Sequence, residues 1–342
     1  MTRPSFSFRV PDLPNEVRFN IFKHLDTPED WKNYSEVYPH IATDDYFWKK
    51  LIIQFPELTI ETCRDMEWNM ALQRVDFNFT LIHAYETDDI RLARRVLDYG
   101  GNKYQYYEDI WLFFKIILEN KFDMALLFLN KGFNINAVMP SNFQTQTVLT
   151  YCVRNNNIEG VKFSLEHGAD VNVVVGNINY MFSALATFCS KYFEYQNDDM
   201  LHLLTDYGAD YNLKNTKKNY VALHILIFGL RGYILTRQFT VVEVSAVKRM
   251  FTLFVLKTDM TIVDSFNRTF LHWLCKIYDN NIINDELFKF IITLFLNAGI
   301  FINTVDGMGK TACDYAFELD DNPICEFLKQ RGGLYRDEIE ID

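Results

Sequence analysis

Leu165-Glu166-His167-Gly168-Ala169-Asp170-Val171-Asn172 decides the reading of this chain because it recurs. It returns as Thr205-Asp206-Tyr207-Gly208-Ala209-Asp210-Tyr211-Asn212, as Asn130-Lys131-Gly132-Phe133-Asn134-Ile135-Asn136 and as Asn297-Ala298-Gly299-Ile300-Phe301-Ile302-Asn303. In each copy an apolar helical run meets a Gly, which enters the left-handed region without a Cβ clash and so ends the helix. A short polar turn then closes on Asn. The stop glycines Gly100, Gly132, Gly168, Gly208, Gly299 and Gly332 are separated by 32, 36, 40, 91 and 33 residues. The spacing of 91 implies a further copy in which Thr258 or Asp259 stands in place of the Gly. Helix stops at this interval predict an array of two-helix units.

Upstream of each stop lies a second recurrent signal: Thr80-Leu81-Ile82-His83, Thr147-Val148-Leu149-Thr150, Ser183-Ala184-Leu185-Ala186, Val221-Ala222-Leu223-His224, Thr269-Phe270-Leu271-His272 and Thr311-Ala312-Cys313-Asp314. A Thr or Ser here caps the helix that follows, and the third residue points into the core. Together with the period, these tetrapeptides resemble the Thr-Pro-Leu-His opening of ankyrin repeats. The resemblance covers residues 77–335 and implies about seven repeats, the first and last serving as caps.

At 49% hydrophobic and 23% charged residues, the 342-residue chain can bury a large core and does not read as disordered. Its formal charge of −11 argues against nucleic acid and anionic membranes as partners. The six cysteines include no CxxC pair and fall mainly on apolar segments, the pattern of reduced, buried thiols in a cytoplasmic protein. There is no signal-peptide pattern at the start of the sequence and no apolar run of membrane-spanning length.

Residues 10–52 follow a different pattern. Leu13-Pro14-Asn15-Glu16 opens an apolar helix through Ile21 and Leu25, Thr27-Pro28-Glu29-Asp30 caps and opens a second through Val37, and Trp48 closes a third. This unit resembles an F-box, which implies docking through Leu13, Pro14, Ile21, Leu25, Pro28, Val37 and Trp48 onto the adaptor of a cullin-based (SCF-type) ubiquitin ligase. It departs from the family at Tyr38 and Pro39, where a Cys or Ser and a basic residue are usual, and in a shorter Val-to-Trp spacing. Residues 53–76 are expected to form a connecting helix, and residues 336–342 an acidic tail. The overall expectation is all-α: a three-helix F-box-like domain followed by an ankyrin-repeat solenoid. F-box plus ankyrin combinations resemble proteins of intracellular bacteria and large DNA viruses as well as eukaryotic ones. The acidic tail resembles those of translocated effectors, which implies a host-cell cytosol as a possible destination.

No catalytic or cofactor site is expected. Gly307-Met308-Gly309-Lys310-Thr311 ends like a phosphate-binding loop, but Thr304 occupies the position of its leading Gly and no buried strand precedes it. His83, His224 and His272 lie a repeat or more apart, and no His/Cys cluster has zinc spacing. Projecting the exposed positions of ankyrin repeats onto the chain gives Val138, Arg154, Val174, Tyr180, Phe182, Lys191, Lys214, Lys218, Tyr220, Phe228, Phe266, Arg268, Lys276 and Met308 as target-binding candidates. The set is basic and aromatic in an acidic chain, so it predicts an acidic target protein held by apolar anchors. Two functions compete: a ligase substrate receptor, and a plain ankyrin interaction module whose N-terminal helices merely cap the first repeat.

Overall fold

The computed structural model describes residues 77–98, 101–140, 145–176, 181–214, 218–234, 240–278, 285–317 and 323–339. The expected F-box-like unit, the connecting helix 53–76, Tyr180, Gly100 and residues 340–342 lie outside them. The chain divides into two compact units, one reaching to Phe133 and the other starting at Asn134.

In the first unit, helices α1 (Phe77–Glu86) and α2 (Ile90–Asp98) pair, an antiparallel hairpin of β1 (Tyr106–Tyr107) and β2 (Ile110–Trp111) follows, and α3 (Leu112–Leu118) pairs with α4 (Phe122–Asn130). Of its many aromatic residues, Trp111, Phe113 and Phe114 are buried, Tyr104, Tyr107 and Phe122 are half-buried, and Phe113 stacks on Phe133 at 4.0 Å between centroids. Tyr106 remains exposed. Thr80 is not an N-cap, because α1 already starts at Phe77 and places it within the helix.

The second unit holds α5 (Val148–Arg154), α6 (Ile158–Glu166), a hairpin of β3 (Val175–Gly176) and β4 (Met181–Phe182), α7 (Ala184–Tyr195), α8 (Asp198–Asp206), α9 (Ala222–Ile234), α10 (Val241–Lys257), α11 (Phe270–Ile277), α12 (Asp285–Asn297), α13 (Ala312–Phe317) and α14 (Pro323–Lys329). The first helices of the pairs stack in order, α5 on α7, α7 on α9, α9 on α11 and α11 on α13. The second helices form a parallel layer in which α10, α12 and α14 stack on one another. This is an ankyrin-like repeat architecture, mostly helical. Residues 231–234 extend the end of α9, and residues 241–244 form the start of α10.

The tetrapeptides cap as their chemistry requires. Thr147 and Thr150 cap each other's backbone, Ser183 Oγ accepts from Ala186 N at 3.2 Å, and Thr311 Oγ1 accepts from Asp314 N at 3.2 Å. Between the two helices of a pair, Asp88, Asn120, Asn156 and Gln196 take a left-handed conformation. After the second helix, the glycine does so: φ is +86° at Gly168 and +82° at Gly208.

The Asn that closes each turn ties one copy to the next. Asn136 Nδ2 donates to Gly168 O (3.1 Å) while its Oδ1 accepts from Asp170 N (2.8 Å). Asn172 repeats both bonds with Gly208 and Asp210 at 3.0 and 2.9 Å, and Asn303 with Gly332 and Leu334 at 3.0 and 2.8 Å. Asn212 Oδ1 accepts from Asp259 N at 2.8 Å. That bond aligns the copy without a glycine, and corrects its reading. Neither Thr258 nor Asp259 replaces the Gly: α10 runs to Lys257, Thr258 is extended at φ −96°, and no left-handed residue is used.

At the C-terminus, the expected acidic tail is partly folded. Arg336–Glu338 form a 3-10 turn, Arg336 N donates to Asp314 Oδ1 at 3.3 Å, and Lys329 pairs with Glu338 at 3.6 Å.

Candidate protein-binding face

The loop entering α11 is Asp264-Ser265-Phe266-Asn267-Arg268-Thr269, and its conformation is set by one buried carboxylate. Asp264, 2% exposed, accepts from the backbone N–H groups of Phe266 (2.8 Å) and Arg268 (3.0 Å), from Arg268 Nε (2.9 Å) and Nη2 (2.7 Å), and from Trp273 Nε1 (3.0 Å). Burial pushes its carboxyl pKa up, but these donors outweigh burial and hold it below the ordinary value. Asn267 takes the left-handed conformation that turns the tip and leaves Phe266 48% exposed.

The next loop uses the same carboxylate position with different donors. Asp306 accepts from Met308 N (2.8 Å), Lys310 N (2.9 Å) and Tyr315 Oη (2.7 Å). Successive tips are joined by their backbones, Ser265 N to Lys218 O at 3.0 Å and Gly307 N to Phe266 O at 2.7 Å. Lys218, Phe266 and Met308 therefore form one row along the tips, all exposed. The loop that resembles a phosphate site is the ordinary tip of this row, with two of its backbone N–H groups taken by Asp306.

Trp273 is the hub of the face below the tips. Tyr220, Phe228 and Trp273 pack edge to face, with centroids 5.0, 5.8 and 4.7 Å apart. The Arg268 guanidinium lies 4.1 Å from the Trp273 centroid and 4.8 Å from that of Phe266. Lys276 Nζ sits 5.3 Å from both the Trp273 and Tyr315 rings, and Lys310 Nζ 5.4 Å from Tyr315.

Of the projected candidates, the structure brings Tyr220, Phe228, Phe266, Arg268 and Lys276 together, with Lys218 and Met308 on the adjoining tips. Arg268 is a correction: expected at the surface, it is 6% exposed, because the buried Asp264 carboxylate needs a bidentate counter-charge. Others stand apart. Arg154 is half-buried at the end of α5, its Nε has no hydrogen-bond partner among the described residues, and burial lowers its pKa. Val174 and Phe182 are half-buried, Lys191 pairs with Glu194 at 2.6 Å, and Lys214 and Val138 are exposed in loops. Sequence reasoning missed Asp264, Trp273, Lys310 and Tyr315. Register could have found two of them, since Trp273 and Tyr315 each stand four residues past a capping Thr, on the first-helix face.

The two histidines that are buried among the described residues differ. His272 Nδ1 accepts from Thr269 N (3.1 Å) and Thr269 Oγ1 (2.8 Å), and its Nε2 reaches Lys310 O at 3.2 Å. His224 Nδ1 accepts from Val221 N at 3.3 Å, but its Nε2 is buried with no hydrogen-bond partner among the described residues. Burial drives the His224 pKa down to about 3 and lowers that of His272 as well. Neither belongs to a metal site: among the described residues no group of three or more His, Cys, Asp or Glu is placed to hold one. The five described cysteines are free and buried, and burial pushes the Cys152 thiol up to about 12.

Over 99 residues, 28% of this chain, the sequence is 38% identical to the fowlpox virus (strain NVSL) ankyrin repeat protein FPV034. The match covers 22% of that viral protein's length. The structure is similar to the crystal structure of the human ASB11 ankyrin repeat domain, with a TM-score of 0.47 and 17% identity over 76% of this chain and 99% of that one. No family model matches the chain. Among the described residues no helix is long and apolar enough to cross a membrane.

Proposed function

We propose that this chain is a substrate receptor of a cullin-based ubiquitin ligase, in which residues 10–52 recruit the adaptor and the α9–α11–α13 face holds a target protein. The reading is supported by two features of one chain: the F-box-like sequence pattern Leu13-Pro14-Asn15-Glu16 with Pro28, Val37 and Trp48, and a cation–aromatic face on the repeat helices. Aromatic residues and Arg or Lys exposed along a repeat array are the residue types that dominate protein-binding hot spots. The chain acts by proximity, raising the effective concentration of target lysines at the ligase, and performs no chemistry itself. It needs no cofactor and works in the cytoplasm.

Affinity capture from a eukaryotic lysate with the full chain tests this reading. The adaptor and a cullin are expected to co-purify with the wild type and to be lost with Leu13→Ala/Pro14→Ala, a double truncation worth on the order of 2–4 kcal/mol of binding. Equal adaptor recovery with both proteins refutes the assignment. Capture of other proteins through the α9–α11–α13 face, with no adaptor, favours the plain interaction module.

A further inference from the structure

The surface of α9, α11 and α13 is selective in charge as well as rich in rings. Its described carboxylates are held by donors: Asp264 and Asp306 are 2% and 6% exposed and bonded within their own loops, and Asp314, half-buried on α13, accepts from Thr311 N (2.7 Å) and Oγ1 (3.0 Å) and from Arg336 N (3.3 Å). The cations that face outward from the described residues here are Lys218, Arg231 and Lys276, and Lys310 is half-exposed. Lys276 forms no ion pair among the described residues and lies over both Trp273 and Tyr315.

The rings also exclude one class of ligand. Tyr220, Phe228 and Trp273 are in mutual contact, and the protein's own Arg268 and Lys276 already lie against the indole. A cationic side chain from a partner would have to displace them against like charge. An anion meets the opposite situation. Lys276 is pre-positioned by two rings, which reduces the side-chain ordering an ion pair costs, and the apolar tips Phe266 and Met308 stand exposed on the same loops. The net charge of −11 would repel an acidic protein from most of the surface, but at physiological salt distant charges are screened beyond about 8 Å, so a local inversion governs contact.

We propose that the target is read through a short acidic peptide segment, whose carboxylate side chain pairs with Lys276 and whose neighbouring apolar side chain packs on the Phe266 and Met308 tips. The inference rests on the reading of this face as target-binding, and is independent of adaptor recruitment. It makes Lys276 the specificity-determining cation, a role that Arg268, held by Asp264, cannot take.

Selection of a displayed random linear peptide library against the immobilised full chain tests it, with affinities of the enriched peptides measured by fluorescence anisotropy. The expected result is enrichment of Asp or Glu close to Phe, Leu, Ile or Met, with affinity falling at least about tenfold for Lys276→Glu and for Lys276→Gln. Lys162→Glu, an exposed reversal on α6, should leave binding unchanged. Both positions are solvent-exposed, and matching thermal melts show that the variants fold. Enrichment of basic or uncharged peptides, no enrichment, or equal binding to Lys276→Glu overturns the proposal. If lysate proteins are nevertheless captured by the wild type and lost on Tyr220→Ala, the target-binding reading stands and only the acidic-segment inference falls.

Discussion

The outer turns and the inner face of the second unit are built by opposite rules. On the outer side, one residue type makes the same pair of bonds copy after copy: Asn136, Asn172 and Asn303 each donate to a glycine carbonyl and accept from an N–H of the following turn. On the inner side, the residue just before the helix-opening position changes from Tyr220 to Arg268 to Lys310, and the residue four past it from Ile225 to Trp273 to Tyr315. Repetition marks the part of each unit that holds the array together. Variation marks the part that is free to meet something else.

The comparison breaks first at Arg268, an inner-face residue with a structural task. Removing one member of a buried ion pair leaves an uncompensated charge, so Arg268→Ala should destabilise the chain by about 3–5 kcal/mol in chemical denaturation. A loss under about 1 kcal/mol, the range of exposed pairs, would mean that Asp264 is satisfied without it.

A second effect appears with pH. His224 has a folded pKa of about 3 against an ordinary value of 6.5, so between those limits the unfolded chain binds a proton that the folded one does not. Stability should be complete above pH 6.5 and fall below it by up to about 1.4 kcal/mol per pH unit. His272 shifts in the same direction and adds to the slope. Asp264 and Asp306, whose pKa values are depressed, lose their contribution only below the ordinary 3.8, so the histidine window is separable. His224→Phe should reduce the slope of stability between pH 6 and 4 to the share of His272, by comparison with the wild type under the same denaturant titration; an unaltered slope would show that His224 is not a group responsible.

The outer turns sharpen the comparison at smaller amplitude. Asn172→Ala removes two hydrogen bonds and should cost about 1–3 kcal/mol, and Asn212→Ala, with one, about half as much. Both should leave target binding intact. Equal losses would show that the second bond contributes nothing.

These contrasts also explain what could be read from sequence. The stops at Gly168 and Gly208 were legible because a left-handed residue after an apolar run is a local requirement. The bonds of Asn172 were not, because their partners lie in the next copy and only spacing hints at them. The register of α10 was misread for the same reason: a turn made without glycine leaves no local mark, and Asp259 is identified only by its bond to Asn212. Aromatic and basic residues near the target face were found from repeat phase, but phase carries no burial. The sequence therefore marks Arg268 as a surface cation although it is buried against Asp264, and leaves Trp273 unmarked.

On the inner face the smallest effects are kinetic. Lys218→Glu should slow association with an acidic target and weaken its salt dependence, whereas Tyr220→Ala should mainly speed release. Surface plasmon resonance at two salt concentrations separates them, and identical rate changes for the two variants would argue against a charged tip row above an aromatic anchor.

The division between scaffold and reader is tested most directly by quantitative mass spectrometry of proteins captured from eukaryotic lysate by the full chain, by Lys276→Glu and by Asn172→Ala. The account predicts that Lys276→Glu loses target proteins while keeping the adaptor and its melting temperature, and that Asn172→Ala keeps both sets of partners while melting lower. Capture of the same targets by Lys276→Glu as by the wild type would contradict it.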